Sequence, residues 1–212
     1  ELDVSHWDTS NVTSRRNTFR ECSKLKKLDV SKWDTGNVES LLGTFLDTNL
    51  TTLDVSNWDT GNVTTMQATF RNCKKLTALD VSNWDTGNVT NMTGMFNMCI
   101  ELEYLDVADW DVSKVTDFSF LFKGTGNKGD MKINNLDISK WDTSSAKTFE
   151  CMFYGCAQIT EMDMSTWKTD NLEDVNHMFA DCYKLEKVNF TGWNTPKLNT
   201  IDALFNNCES LK

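Results

Sequence analysis

The sequence predicts an α/β solenoid of about eight strand-turn-helix units, with a parallel sheet on one face and short helices on the other. Three observations carry that expectation. Tryptophan recurs at Trp7, Trp33, Trp58, Trp84, Trp110, Trp141, Trp167 and Trp193, at spacings of 26, 25, 26, 26, 31, 26 and 26 residues. Each interval holds an alternating apolar stretch followed by an apolar stripe at helical spacing. A segment rich in turn and capping residues separates the two.

Numbering each unit from its first apolar residue places the starts near Leu2, Leu28, Leu53, Leu79, Leu105, Leu136, Met162 and Val188. In unit 4, Leu79 and Val81 point one way while Asp80 and Ser82 point the other, as in a short half-buried strand. The Trp-Asp-Thr-Gly/Ser-Asn segment follows as a turn. Positions 11, 14, 17, 18 and 21 (Val89, Met92, Met95, Phe96 and Cys99) then read as the buried stripe of a helix of about three turns. Thr64, Thr90 and Thr116 stand where that helix's N-cap belongs, although Glu39 and Lys147 take the same slot elsewhere. One such unit cannot bury both faces alone, so stacking is required. The 212 residues therefore read as a single repeat domain, 1–212, cut from a longer array rather than as one or two globules.

The net charge of −10 argues against nucleic acid and against an anionic membrane as main partner. No stretch approaches the about 18 consecutive apolar residues of a membrane span. Position 18 is Phe in every unit, and position 21 is Cys in six. Two readings of the Trp column are open: a buried spine with each indole N–H on a neighbouring carbonyl, and an aromatic platform for sugars. Fixed presence in every unit favours the spine. Cys22, Cys73, Cys99, Cys156, Cys182 and Cys208 lie on the inward stripe and are expected as free buried thiols, since packed helices sit too far apart for a disulfide. Cys151, at position 16, belongs on the outer side of the expected helix. Arg15 occupies an inward slot, tolerable if the first unit is open there or if its head reaches solvent.

The most informative exposed feature is the strand face. Position 2 runs Asp3, Asp29, Asp54, Asp80, Asp106, Asp137 and Asp163, beside a Ser column that includes Ser56 and Ser82. Position 7 runs Asp8, Asp34, Asp59, Asp85, Asp111 and Asp142, then Lys168 and Asn194. One reading is a ladder of carboxylates bonded to neighbouring repeats; the other is a stripe for a cation or a basic ligand. On the second reading Asp29, Asp54, Asp80, Asp106, Asp137, Ser56 and Ser82 are the candidate ligand-binding residues. Calcium matches no dedicated loop, and no metal site or cofactor is expected. An insertion at about 124–132 reads either as a binding loop or as slack. His6 and His177 are about six units apart and no nucleophile motif occurs, so an enzyme is not expected.

The pattern LDVSxWDTxNVTxMxxMFxxCxxL resembles the repeat of BspA-like leucine-rich-repeat surface proteins of Gram-positive bacteria and mycoplasmas, across all eight units. Val112, Lys114, the insertion and the altered last unit (Val188, Asn189, Phe190, Asn194, Pro196) depart from it. The resemblance implies a leucine-rich-repeat-like fold in an extracellular, cell-surface or wall-attached protein. It also implies binding of host matrix, mucin or another surface protein or glycan. The alternative is a structural spacer that projects another domain.

Overall fold

Hydrogen bonds between units, as well as within them, organise the backbone. In the computed structural model, which describes residues 2–127 and 131–212, position 13 of every unit bridges in parallel to its counterpart in the next. The ladder runs Ser14, Ser40, Thr65, Asn91, Asp117, Thr148, Asp174 and Thr200. On another edge of each coil, β1 (Glu161–Asp163) pairs with β2 (Lys187–Asn189) in parallel, with Met162 opposite Val188. Thr52 and Ala78 form an isolated bridge at the corresponding place.

The expected helices do not form. Among the described residues the only regular elements are those two strands, so the α/β solenoid with helices on one face is overturned. Positions 14 to 21 instead make a run of turns whose N–H groups alternate between two acceptors. Arg15, Asn17, Phe19 and Glu21 donate to the carbonyls of Ser40, Leu42, Thr44 and Leu46 in the next unit, at 2.7–3.0 Å. Thr18, Arg20 and Cys22 donate three residues back within the unit, at 3.1–3.2 Å. Such a run needs left-handed residues, and positions 16 and 20 supply them: Asn17 (φ 55°), Glu21 (60°), Gly43 (61°), Asp47 (59°), Gly94 (61°) and Met98 (64°) are typical. A helix admits no such residues, because left-handed φ breaks its hydrogen-bond ladder. Thr64, Thr90 and Thr116 therefore cap nothing. Their hydroxyls donate to the position-12 carbonyl of the preceding unit at 3.2–3.4 Å.

The inward positions are those the spacing selects, because a chain of turns brings the same side chains to one side. Phe19, Phe45, Phe70, Phe96, Phe122, Phe153, Phe179 and Phe205 stack in an unbroken column at centroid separations of 5.4–5.8 Å and interplanar angles of 1–15°. From Trp33 onward each indole N–H donates to the position-3 carbonyl of the unit before, at 2.9–3.2 Å. The tryptophans from Trp33 to Trp167 are buried. They are a spine rather than a platform. Position 8 adds buried threonines unmarked by the periodicity: Thr60 and Thr86, for example, donate to the next unit's Asp85 and Asp111 carbonyls at 2.9 Å.

Three further expectations change. Cys151 is buried rather than outward, in a run of turns and not on the surface of a helix. Arg15 is neither open nor reaching solvent: it is 2% exposed, its guanidinium 4.3 Å over the Trp33 ring and 2.7 Å from the Asp34 carbonyl, to which Nη2 donates. Burial lowers its pKa to about 10. The described part of the insertion is a clamp rather than slack. A Cβ at Gly126 would lie 2.6 Å from Asp181 Oδ2, and one at Gly155 would lie 2.7 Å from the Gly126 nitrogen. Tyr183 donates its hydroxyl to the Gly126 carbonyl at 2.7 Å, and Asn207 donates to Asp181 at 2.8 Å. Residues 128–130 of the insertion lie outside the described residues.

Candidate functional site

Asp29, Asp54 and Asp80 stand exposed in adjacent coils, and the stack brings them to one shallow groove with Ser31, Ser56 and Leu53. Asp80, Ser82 and Asp106 line its continuation with Glu103 and Tyr104. Asp137 is exposed in the same column but lies outside both stretches, one unit beyond the insertion. Tyr104 was not singled out by repeat logic, because it interrupts the repeat: it is 63% exposed, where neighbouring units carry Ala78 or Thr52.

The carboxylates of Asp29, Asp54 and Asp80 are held within their own units, not by the next one. Ser31, Ser56 and Ser82 each donate both backbone N–H and hydroxyl to Oδ1 of the Asp two residues before, the hydroxyl at 2.7 Å and the N–H at 3.1–3.2 Å. This local turn spends one carboxylate oxygen and the Ser hydroxyl. Among the described residues, Oδ2 of Asp29, Asp54 and Asp80 accepts no hydrogen bond. The position-7 carboxylates do the same to the N–H two residues on, as Asp59 does to Gly61 at 3.0 Å. Gly61 sits between two of them: a Cβ there would lie 3.4 Å from Asp59 Oδ1 and 3.3 Å from Asp85 Oδ2.

The electrostatics follow from these bonds. The Ser31 hydroxyl and then its N–H hold Asp29 below the ordinary carboxylate value, and Ser82 does the same to Asp80. Repulsion from Asp3 is the weakest influence on Asp29. Local hydrogen bonding thus outweighs the stacking of like charges, which solvent screens. A depressed carboxylate pKa adds stability that is complete above about pH 4 and is lost as pH falls through the lowered values. Melting temperature is therefore expected to drop between pH 4.5 and 2.5. The double variant Ser31→Ala/Ser82→Ala is expected to drop less steeply, and equal slopes for the two proteins would remove the Ser–Asp pairs as the cause.

The groove offers free carboxylate oxygens, one exposed phenol ring and shallow apolar contact with Leu53 and Leu79. Among the described residues no three His, Cys, Asp or Glu side chains gather as a metal-ion site. No helix there is long and apolar enough to cross a membrane.

A family model described as "Mycoplasma protein of unknown function, DUF285" matches residues 1–101, 43–128 and 128–212, so its matches reach across the whole chain. No curated protein matches it. Among solved structures, the functional domain of InlJ from Listeria monocytogenes, described as including a cysteine ladder, aligns with 100% of this chain at 16% identity and a TM-score of 0.28. The alignment covers 47% of that protein's chain, so this chain spans about half of it.

Proposed function

The chain belongs to the family described as Mycoplasma protein of unknown function, DUF285, and we propose that it serves as a non-catalytic repeat scaffold that binds protein or glycan at a cell surface. The observation that carries this reading is the groove from Leu28 to Tyr104. It combines outward carboxylate oxygens in register with an exposed aromatic ring, away from the ends of the stack. Groups of this kind receive hydroxyls and cations: the carboxylates accept hydrogen bonds, and the phenol ring offers a face. Asp29, Asp54, Asp80 and Asp106 supply the charge, and Ser56 and Ser82 hold two of those carboxylates in place. Asp137 extends the row past the insertion. A placement outside the cell, anchored to the surface or wall as in BspA-like arrays, suits a groove whose only distinctive chemistry is its exposed rim.

Charge reversal at Asp54, Asp80 and Asp106 to Lys is expected to change capture of mucin or host matrix components on a coated surface. Tyr104→Ala is expected to weaken it. Both sets of side chains are exposed, so the melting temperature should stay within a few degrees. The spacer reading is favoured by the unbroken Phe column, which stiffens the stack along its length. Unaltered capture by both variants, with the fold intact, would establish the spacer.

A further inference from the structure

Consecutive coils in the middle of the stack place Arg71, Asn97 and Lys123 at position 19, with further coils of the chain on both sides. The backbone keeps them in register. The Asn72 N–H donates to the Asn97 carbonyl at 2.8 Å, and the Met98 N–H donates to the Lys123 carbonyl at 2.7 Å. Together with Asn72, Met98 and Phe120, they line a shallow groove of about 320 Å³ along the run of turns. This edge of the coil is not the one that carries Asp29, Asp54 and Asp80. The volume lies at the lower end of the roughly 300–1,000 Å³ of small-ligand clefts, room for a single ring and its substituents.

The polar groups here are uncommitted. Asn97 is 7% exposed and lines the groove, yet among the described residues its side-chain amide makes no hydrogen bond. A buried amide without a partner is costly, and a hydroxyl group brought by a ligand would satisfy it. The lining carries two cations and no carboxylate. Among the described residues neither Arg71 nor Lys123 forms an ion pair. Arg71 is exposed, and the Lys123 ammonium lies 5.2 Å from the centre of the Phe120 ring and 4.6 Å from that of Tyr154.

The apolar side of the groove is held at a conformational cost. Positions 16 and 20 take left-handed backbone, and most units fill them with small residues or with Asn or Asp, as at Gly43, Ala68, Gly94, Asp47 and Asn72. Phe120 (φ 62°) and Met98 (φ 64°) put bulky side chains in those slots on adjoining coils, and both line this groove. Bulky residues avoid such φ, and neither side chain is fully buried, so packing does not account for them.

We propose that this groove is a second binding site, separate from the Asp groove, and that it takes a sugar bearing a carboxylate or a sulfate ester. Arg71 and Lys123 receive the negative charge, the Asn97 amide bonds a ring hydroxyl, and the C–H face of the sugar lies against Phe120 and Met98.

The test is a heteronuclear NMR titration of the chain with four probes. Methyl glucuronide supplies the carboxylate, a glucose sulfate ester the sulfate, methyl glucoside the uncharged ring, and sodium sulfate the charge without a ring. Saturable shifts at Asn72, Asn97, Met98 and Lys123 are expected with an anionic sugar, without shifts at Asp54, Asp80 and Tyr104. Whichever anionic sugar binds more tightly identifies the source of the charge. Methyl glucoside and sodium sulfate are each expected to bind at least about tenfold more weakly, as loss of a charge-assisted bond or of the ring contact requires. Arg71→Gln, at an exposed side chain, is expected to weaken the anionic sugar by about tenfold without a change in melting. Phe120→Gly copies Gly43 and Gly94 at the same slot and relieves the left-handed backbone, so it is expected to fold and to bind more weakly. No saturable shift with either anionic sugar would overturn the proposal. Sodium sulfate or methyl glucoside binding as tightly as the anionic sugars would overturn it too, as would unchanged affinity in Arg71→Gln.

Discussion

Phe96→Ala is expected to destabilise the chain by about 3–5 kcal/mol, the cost of emptying a large aromatic site in a packed core. The ring is fully buried and stacks on Phe70 at 5.7 Å and Phe122 at 5.8 Å, with Trp110 at 6.2 Å. Its removal takes away three stacked pairs, each worth about 0.5–1.5 kcal/mol beyond burial. The Phe96 backbone is tied to the next unit and to its own, because its N–H donates to Leu121 and its carbonyl receives the Cys99 N–H. Relaxation into the cavity is thereby restricted. In a stack held by nearest-neighbour contacts, a break in the middle also separates the two halves. Phe205→Ala provides the comparison: that ring is half-buried and stacks within the column only on Phe179. It is expected to cost less than half as much in a urea titration. Equal losses at the two sites would mean that the column is not a continuous packing element.

The unit boundaries and the inward slots were legible because side-chain identity at Trp33, Phe45 or Val55 is dictated by burial, and burial repeats with the chain. The conformation between them was not. Steps of 3, 3, 1 and 3 suit three turns of helix, and they equally suit consecutive turns that reverse at positions 16 and 20. Deciding between these needs φ, and the signal for φ was present in part. Position 20 holds Asp47, Asn72, Gly124, Gly155, Asp181 and Asn207, the residue types that tolerate left-handed backbone. Position 13 gives the other clue. It is Ser, Thr, Asn or Asp in all eight units, and these side chains start turns, as when Asp117 Oδ1 accepts the Ser119 N–H at 2.8 Å. A polar bridge without apolar alternation does not look like a strand, which is why the long ladder fell outside the expected sheet. The groove was half legible. Its Asp and Ser columns repeat, whereas Tyr104 occurs once and carries no period.

Raising the pH from 9 to 10 is expected to destabilise the protein by about 4 kcal/mol, through its core thiols. All seven cysteines are free, and Cys73, Cys99, Cys156 and Cys182 are buried. Their Sγ atoms lie 3.1–3.3 Å from the carbonyls of Phe45, Phe70, Phe122 and Phe153, to which the thiols donate. Burial pushes the Cys73 thiol up to about 11 and the other three well above the ordinary range, because a thiolate there is stripped of water. A pKa raised on folding gives stability that is complete below the unfolded value and is lost as pH rises toward the folded one. The unfolded chain releases its thiol protons near pH 9 while the folded chain keeps them. Each of the four therefore loses about 1 kcal/mol between pH 9 and 10. Carboxylate pairs do not explain such a loss, since partners hold the Lys132, Lys140 and Lys212 ammonium groups charged above their ordinary value. The sequence itself supplies the control: Thr48 fills the same slot in unit 2, 3.4 Å from Cys73 Sγ. Urea titrations under reducing conditions at pH 7, 9 and 10 make the measurement. With Cys73, Cys99, Cys156 and Cys182 all changed to Thr, most of the loss between pH 9 and 10 should vanish. A variant as alkali-sensitive as the parent would place the titrating groups elsewhere and show that the buried thiols do not set the upper limit of stability.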